Sequence, residues 1–413
     1  MKSLLIFISF LFFNSFLFAQ KELDNYLKTA SENNPELKSA FSEYNAALEV
    51  LPQEKALPDP NIMFQYFITP LMLPMGNERF ALSASQLFPW FGQRSAKEQA
   101  AAEMAKAKYE AFISKRNELF YEVKNVYFQF YVHHQTVHKM EETIKLLNSM
   151  REMAKIKFES GKESFVNVLR ADMEIAEMEN ELTYHKDLGM PLKAEFGKLL
   201  NTKDFGMLSF PDTLWQDSIS TIKSSIIDSV AKNNPELKQM DYEISNLEKQ
   251  MEVVKKSGYP SFSLGATYMN MAKRETTEPL ADNGKDMYMF PEIGVTVPLY
   301  RKKYNAMINE AKYKSESAAF EKTNRTNELN EETETTYRDY LKAKREIILY
   351  TRLSDLANNA RELLLSSFST AGTDFDEVLQ MQKQQLQYSI KLEEARALLN
   401  TTVAYMNVLT GKE

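Results

Sequence analysis

Three of the four histidines fall within six residues, His133, His134 and His138, and His134 and His138 stand four apart, which puts them on one face of a helix. Two imidazoles at that spacing can grip a transition-metal ion. Without a carboxylate or thiolate in the set they make a partial site, and a histidine in mid-helix is ordinarily a solvated side chain. Methionine is abundant, 21 in all, and Met63, Met72, Met75, Met269, Met271, Met287 and Met289 gather near segments that read as strands and loops. Thioethers there offer soft contacts to Cu(I) or Ag(I), although Met also fills cores, and packing is the favoured reading. Catalytic constellations are missing: no Gly-x-Ser-x-Gly elbow, no phosphate loop, no zinc-protease pair and no cysteine. Acidic doublets such as Glu141-Glu142 and Glu331-Glu332 read as solvated helix faces. The chain therefore reads as a non-enzyme without a cofactor.

The frame that positions these residues follows from composition. Fifty-seven acidic and 50 basic side chains are intermixed, for a net charge of −7, so no basic face exists to neutralise nucleic acid. Lys2, the apolar stretch Leu4 to Phe13 and Phe18-Ala19-Gln20 predict a signal peptide over 1–19 and a mature chain from Gln20. With no cysteine, an exported chain relies on packing and assembly rather than disulfides. After the signal no run of about 18 apolar residues occurs, so any membrane contact falls to strands.

The sequence is duplicated. Asn33-Asn34-Pro35-Glu36-Leu37-Lys38 recurs as Asn233-Asn234-Pro235-Glu236-Leu237-Lys238, Phe88-Pro89-Trp90-Phe91 is answered by Val297-Pro298-Leu299-Tyr300, and Phe165, Val168 and Leu169 by Phe375, Val378 and Leu379. This predicts two structural repeats, 20–210 and 211–413. Residues 93–160 and 299–371 contain neither Gly nor Pro, and at about 1.5 Å per residue each would form a helical rod of roughly 100 Å. Ala96, Ala100, Ala101, Ala105 and Ala107 would admit a close neighbouring helix. Gly161 and Gly372 end the rods, and Ser164, or Thr373-Asp374 with Glu377, restarts return helices over about 164–188 and 374–410. These are shorter than the rods, and the helices that open at Asn34-Pro35 and Asn234-Pro235 would extend them end to end.

Ile62, Phe64, Tyr66 and Ile68 alternate with Asn61, Met63, Gln65 and Phe67, and similar alternation recurs three times, predicting strands at about 61–69, 79–88, 261–271 and 287–297. The linkers 69–79 and 271–287, with Pro70, Pro74, Gly76, Pro279 and Gly284, read as exposed loops. Four strands cannot close a barrel in lipid, where open edges leave backbone groups unsatisfied, so the strands must be shared between copies. Phe88, Trp90, Phe91, Tyr288 and Tyr300 read as an aromatic girdle at the membrane interface.

On the paired Asn-Pro-Glu-Leu starts, the Pro58-Asp59-Pro60 lead-in, the Gln86-Leu87-Phe88-Pro89-Trp90-Phe91-Gly92 junction and the two glycine tips, the chain resembles the TolC-like outer-membrane efflux family over its whole mature length. The junction looks most like the heavy-metal efflux branch. The resemblance implies a mainly α fold with a small β part: duplicated long-helix hairpins forming an α-barrel tunnel, and four strands per chain in a homotrimer's twelve-stranded transmembrane β-barrel. It also implies a passive outer-membrane duct reaching into the periplasm, docked on a periplasmic adaptor (membrane fusion) protein and, through it, an inner-membrane transporter of the RND type. Ala371-Gly372-Thr373 resembles the family's adaptor-docking tip motif, whereas at the first tip only Gly161 keeps it. Glu377, with Asp374 and Asp376 beside it, matches an acidic constriction position, although helix capping accounts for the same residues. Two alternatives stay open: a duct of the same shape for type I protein secretion, and a periplasmic coiled-coil scaffold without a barrel.

Overall fold

A computed structural model describes residues 21–206, 208–219, 222–275, 282–370 and 374–412. The expected signal peptide lies outside the described residues. Thirteen elements follow in chain order: helix α1 (21–33), α2 (Pro35–Lys55), β1 (Asn61–Leu73), β2 (Gly76–Phe88), α3 (Gln93–Glu159), α4 (Phe165–Asp187), α5 (Gly189–Leu200), α6 (Lys223–Asn233), α7 (Pro235–Ser257), β3 (Ser261–Ala272), β4 (Met287–Thr296), α8 (Arg301–Thr370) and α9 (Phe375–Leu409). The Gly- and Pro-free stretches are single helices of 67 and 70 residues.

The Asn-Pro starts work alike in both halves. The Asn34 side-chain oxygen accepts from the N–H groups of Glu36 (2.9 Å) and Leu37 (3.1 Å), and its amide donates to the Leu199 carbonyl at the end of α5 (3.0 Å). Asn234 does the same for Glu236, Leu237 and the Leu409 carbonyl that closes α9 (3.0 Å). One amide thus satisfies the orphan donors of one helix and an orphan acceptor of another, joining the two end to end.

The chain divides into two compact units that cut across the sequence halves. The helical unit comprises residues up to Ala40, Ala111–Leu237 and the chain from Arg325 on. Its core centres on fully buried Tyr127, Phe128, Tyr131 and Phe196, with Phe196 edge-on to Tyr26 (5.1 Å) and Phe130 (5.7 Å). Burying each such ring contributes about 1.5–3 kcal/mol. A second cluster gathers Met150, Val168, Phe368, Phe375 and Val378 near the helix turns.

The sheet-bearing unit comprises Phe41–Glu110 and Lys238–Asn324. Its four strands are antiparallel in the order β1-β2-β3-β4, so the β2–β3 pair joins the two sequence halves. Buried Ala100 and Ala105 lie on the segment that α7 packs against, and Asn246 donates to the Ala100 carbonyl (2.6 Å), a contact that a larger side chain would obstruct.

Two expectations need correction. The first linker is no loop: β1 runs to Leu73 and β2 starts at Gly76, leaving a turn of two residues, Pro74 and Met75. Pro70 fits because β1 is an edge strand whose pairing breaks between Tyr66 and Leu71, so no ladder bond is lost. Gly76 sits at φ 133°, where a Cβ would strike the Ala272 carbonyl. The second correction is α5, a separate helix beyond the expected end of the return helix at 188, where the sequence predicted no element; Pro191 falls in its first turn, which needs no intrahelical donor.

Candidate functional site

In the sheet-bearing unit, one face of the sheet carries Ile62, Phe64, Tyr66, Leu82, Leu264, Ile293 and Val295, all exposed. Phe64, Phe80, Tyr268 and Tyr288 form a continuous aromatic row across all four strands, with centroid separations of 5.8, 6.0 and 5.2 Å. Trp90 stacks on Tyr259 (5.3 Å) and Phe262 (6.0 Å) at the other end of the strands, beside exposed Phe91. The five aromatics singled out from the sequence therefore divide: Tyr288 belongs to the row near the turns, while Phe88, Trp90, Phe91 and Tyr300 lie at the helix-proximal end. Phe64, Phe80 and Tyr268 are legible in the sequence as strand residues but not as members of one row, because a row across strands is set by register and leaves no periodic trace in one strand. From Tyr268 to Phe262 and Tyr259 the chain advances six to nine residues, or roughly 20–30 Å of strand.

The opposite face holds Ser83, Ser85, Gly265, Thr267 and Glu292 among methionines, and the hydroxyls of Ser83 and Thr267 are 2.8 Å apart. β1 and β4 pair on one side each, which leaves two unpaired edges. No described helix is long and apolar enough to cross a membrane.

In the helical unit, Gly161 turns the chain at φ 71°, and the Ser164 hydroxyl caps α4 by accepting from Val166 N–H (3.2 Å). Asp374 caps α9, accepting from Asp376 N–H (3.0 Å). Arg170 of α4 lies 3.6 Å from Asp376 and 4.0 Å from Asp374, so one guanidinium spans the two turns. Asp376 also accepts from the Gln380 amide (3.2 Å). Glu377 is exposed and makes no ion pair among the described residues. Ala371, Gly372 and Thr373 lie outside the described residues.

His138 stands 3.7 Å from Glu142, while the His134 ring rests 5.3 Å from Phe210. No cluster of three or more potential His, Cys, Asp or Glu ligands forms among the described residues. Burial, then the neighbouring His138, lowers the pKa of His134. His133 turns elsewhere: with His185, Phe128, Val132, Leu188 and Ile390 it lines a cleft of about 690 Å³, and burial followed by His185, His134 and Lys193 lowers its pKa. That pairing joins positions far apart in sequence and had no local signal. Deeper still, Tyr131 donates to Glu393 (2.6 Å) and accepts from Leu214 N–H (3.1 Å), while Arg396 stands 3.0 Å from the same carboxylate. Burial and Glu393 push the Tyr131 phenol well up.

α9 touches each of the other long helices: Gln382 donates to Thr143 of α3 (3.3 Å), Lys383 pairs with Glu174 of α4 (2.6 Å), and Arg361 of α8 donates to Gln382 (3.4 Å). α4 and α8 are left with apolar outer faces, Val166, Leu169 and Met173 on the one and Leu349, Leu356 and Leu363, seven apart, on the other.

Residues 26–186 match the family described as Outer membrane efflux protein. A curated relative, "Toxin and drug export protein A" of Aggregatibacter actinomycetemcomitans, is 25% identical over 264 residues, 62% of this chain and 55% of that protein. The matched stretch thus spans about half the length of the relative. Among solved structures, the outer-membrane channel OprN superposes with TM-score 0.80 at 15% identity over 97% of this chain and 92% of that one. CusC, described as forming a transmembrane channel, superposes with TM-score 0.78 at 13% identity over 95% and 92%. At such identities the structures establish the fold they share with this chain.

Proposed function

We propose, from the match of residues 26–186 to the outer membrane efflux protein family and the fold shared with solved outer-membrane channels, that the chain is the passive outer-membrane channel of an efflux system, carrying small substrates, heavy-metal cations among the candidates, from the periplasm to the exterior. The observation that carries this reading is a sheet with an exposed apolar face, aromatic rows at both ends and two unpaired edges. In lipid such edges are untenable, and pairing β4 of one copy with β1 of the next satisfies them; three copies give twelve strands. The free faces of α4 and α8 suit the same cyclic arrangement, since an isolated chain would leave both apolar stripes in water.

In this reading the turn at Gly161 and the segment Ala371-Gly372-Thr373 meet a periplasmic adaptor, through which an RND-type inner-membrane transporter is reached. The Glu377 carboxylates of three copies then face one another near the axis, where they favour cations and repel each other. A duct needs no catalytic group. The name of the relative couples toxin with drug export, which keeps protein secretion as the second reading.

The test is direct. A heat-modifiable trimer in the outer-membrane fraction, with β signal by circular dichroism and K⁺ conductance in planar bilayers, is the expected result. A soluble periplasmic monomer without conductance overturns it. Deleting the gene and scoring sensitivity to metals, dyes and detergents against loss of a secreted protein separates the two cargo classes.

A further inference from the structure

The polar face of the sheet contains an anomaly. Read across the strand pairs, its rows are Asn61–Ser85–Gly265–Glu292, Met63–Ser83–Thr267–Met289 and Gln65–Ala81–Met269–Met287, with Met271 beside Glu78 in the row beyond. The Ser83–Thr267 hydroxyl contact fixes these positions on one side. Five methionines thus share a face built otherwise mainly from small or polar side chains, with Leu71 opposite Glu78 on β1 and Leu87 opposite Ser263 at the far end as branched aliphatic exceptions. Packing accounts for buried Met271, but not for Met63 and Met289, which are 47% and 39% exposed, since a flexible thioether in water gains little from burial it does not achieve.

Position explains it better. Met269 and Met287 are direct cross-strand partners, so their Cβ atoms are about 5 Å apart. Met289 and Met271 are the next same-face residues along β4 and β3, about 7 Å further on. Side chains with three rotatable bonds close such gaps easily. Glu78, 4% exposed, sets a carboxyl group beside the buried Met271. The chain has no cysteine, so thioethers are its soft ligands, and they bind without the grip of a thiolate.

We infer that Met269, Met287 and Met289, backed by Met271 and Glu78, form a binding site for a soft monovalent cation, Cu(I) or Ag(I), on the wall of the pore. This rests on the channel reading only for the direction in which the face points. Weak, repeated thioether sites suit conduction, where an ion must be held loosely enough to leave. Met63 lies in the same row as Met289 but on the opposite edge, so a ring of copies brings the two edges, and their thioethers, toward one seam.

The test uses the full chain, methyl-labelled at methionine, in detergent and in planar bilayers, with silver nitrate in chloride-free buffer as the probe. Ag⁺ is expected to shift the methyl signals of Met269, Met287 and Met289 while leaving those of Met150 and Met178, buried among helices, unmoved. The volume-conserving variant M269L/M287L/M289L is expected to bind Ag⁺ about tenfold less tightly in detergent, with an unchanged β signal by circular dichroism. Unmoved strand methionines, or equal Ag⁺ binding by the variant, overturn the site. Loss of K⁺ conductance in the unaltered protein refutes the channel reading instead, and the Ag⁺ titration in detergent still decides the site.

Discussion

The two return helices begin with the same apolar signature and meet opposite fates. Phe165 and Leu169 of α4 are 46% and 47% exposed, whereas Phe375 and Leu379 of α9 are 0% and 6% exposed. α9 is surrounded by α3, α4 and α8, while α4 lies at a flank. A duplicated sequence therefore produces one helix that completes the fold of a single chain and one that keeps an apolar face for something else. Further along the same register, Glu393 is buried in a network with Tyr131 and Arg396, while its counterpart Thr183 is exposed.

The most severe way to test that contrast is truncation at the paired phenylalanines. Phe375→Ala is expected to destabilise the chain by about 3–5 kcal/mol, and Phe165→Ala by less than about 1 kcal/mol, in denaturant titrations in detergent. Phe165→Ala, like Leu363→Asp on the α8 flank, should instead lower the temperature at which oligomers dissociate on a gel. Equal losses at both sites would erase the distinction.

Tyr131→Phe removes a hydrogen bond to a buried carboxylate and is expected to cost roughly 1.5–3 kcal/mol, whereas Thr183→Ala at the exposed counterpart should be near neutral. Thermal melts of the two variants give the comparison. Where the halves truly match, effects should match as well: Asn34→Ala and Asn234→Ala are each expected to cost about 1 kcal/mol and to add in the double variant. A markedly unequal pair would show that one junction bears more of the fold than the other.

Smaller effects attach to one half only. All four histidines lie in the first, and burial holds His133 and His134 below their ordinary pKa. As pH falls through about 6.5 the unfolded chain takes up protons before the folded one, so their contribution is complete above that pH and declines below it until the folded histidines titrate. His133→Gln with His134→Gln should flatten stability against pH over that window, measured by melts from pH 7.5 to 5. Arg170→Ala, which breaks an exposed ion pair between the two turns, is expected to change stability by no more than about 1 kcal/mol. Glu377→Ala should reduce cation preference in bilayer recordings; unchanged selectivity would remove Glu377 from the constriction.

Much of this was legible in the chain itself. Asparagine before proline specifies a capped helix start, long stretches without Gly or Pro specify continuous helices, and alternation specifies strands, because each acts through backbone geometry within about four residues. Proline misled at Pro70, where its meaning depended on whether the strand was an edge, and that is a property of the sheet. The candidate site was less legible: the aromatic row Phe64–Phe80–Tyr268–Tyr288 and the methionine face appear only when register is known.

Local sequence determined the elements, their caps and their amphipathic character. Tertiary structure alone decided that β2 would pair with β3, that Phe375 would be enclosed and Phe165 left open, and that His133 would meet His185 across a cleft. The physical reason is range: dihedral preference and helix capping are settled between neighbours in the chain, whereas burial and register depend on which distant segment arrives, and two segments with the same apolar signature can receive different neighbours.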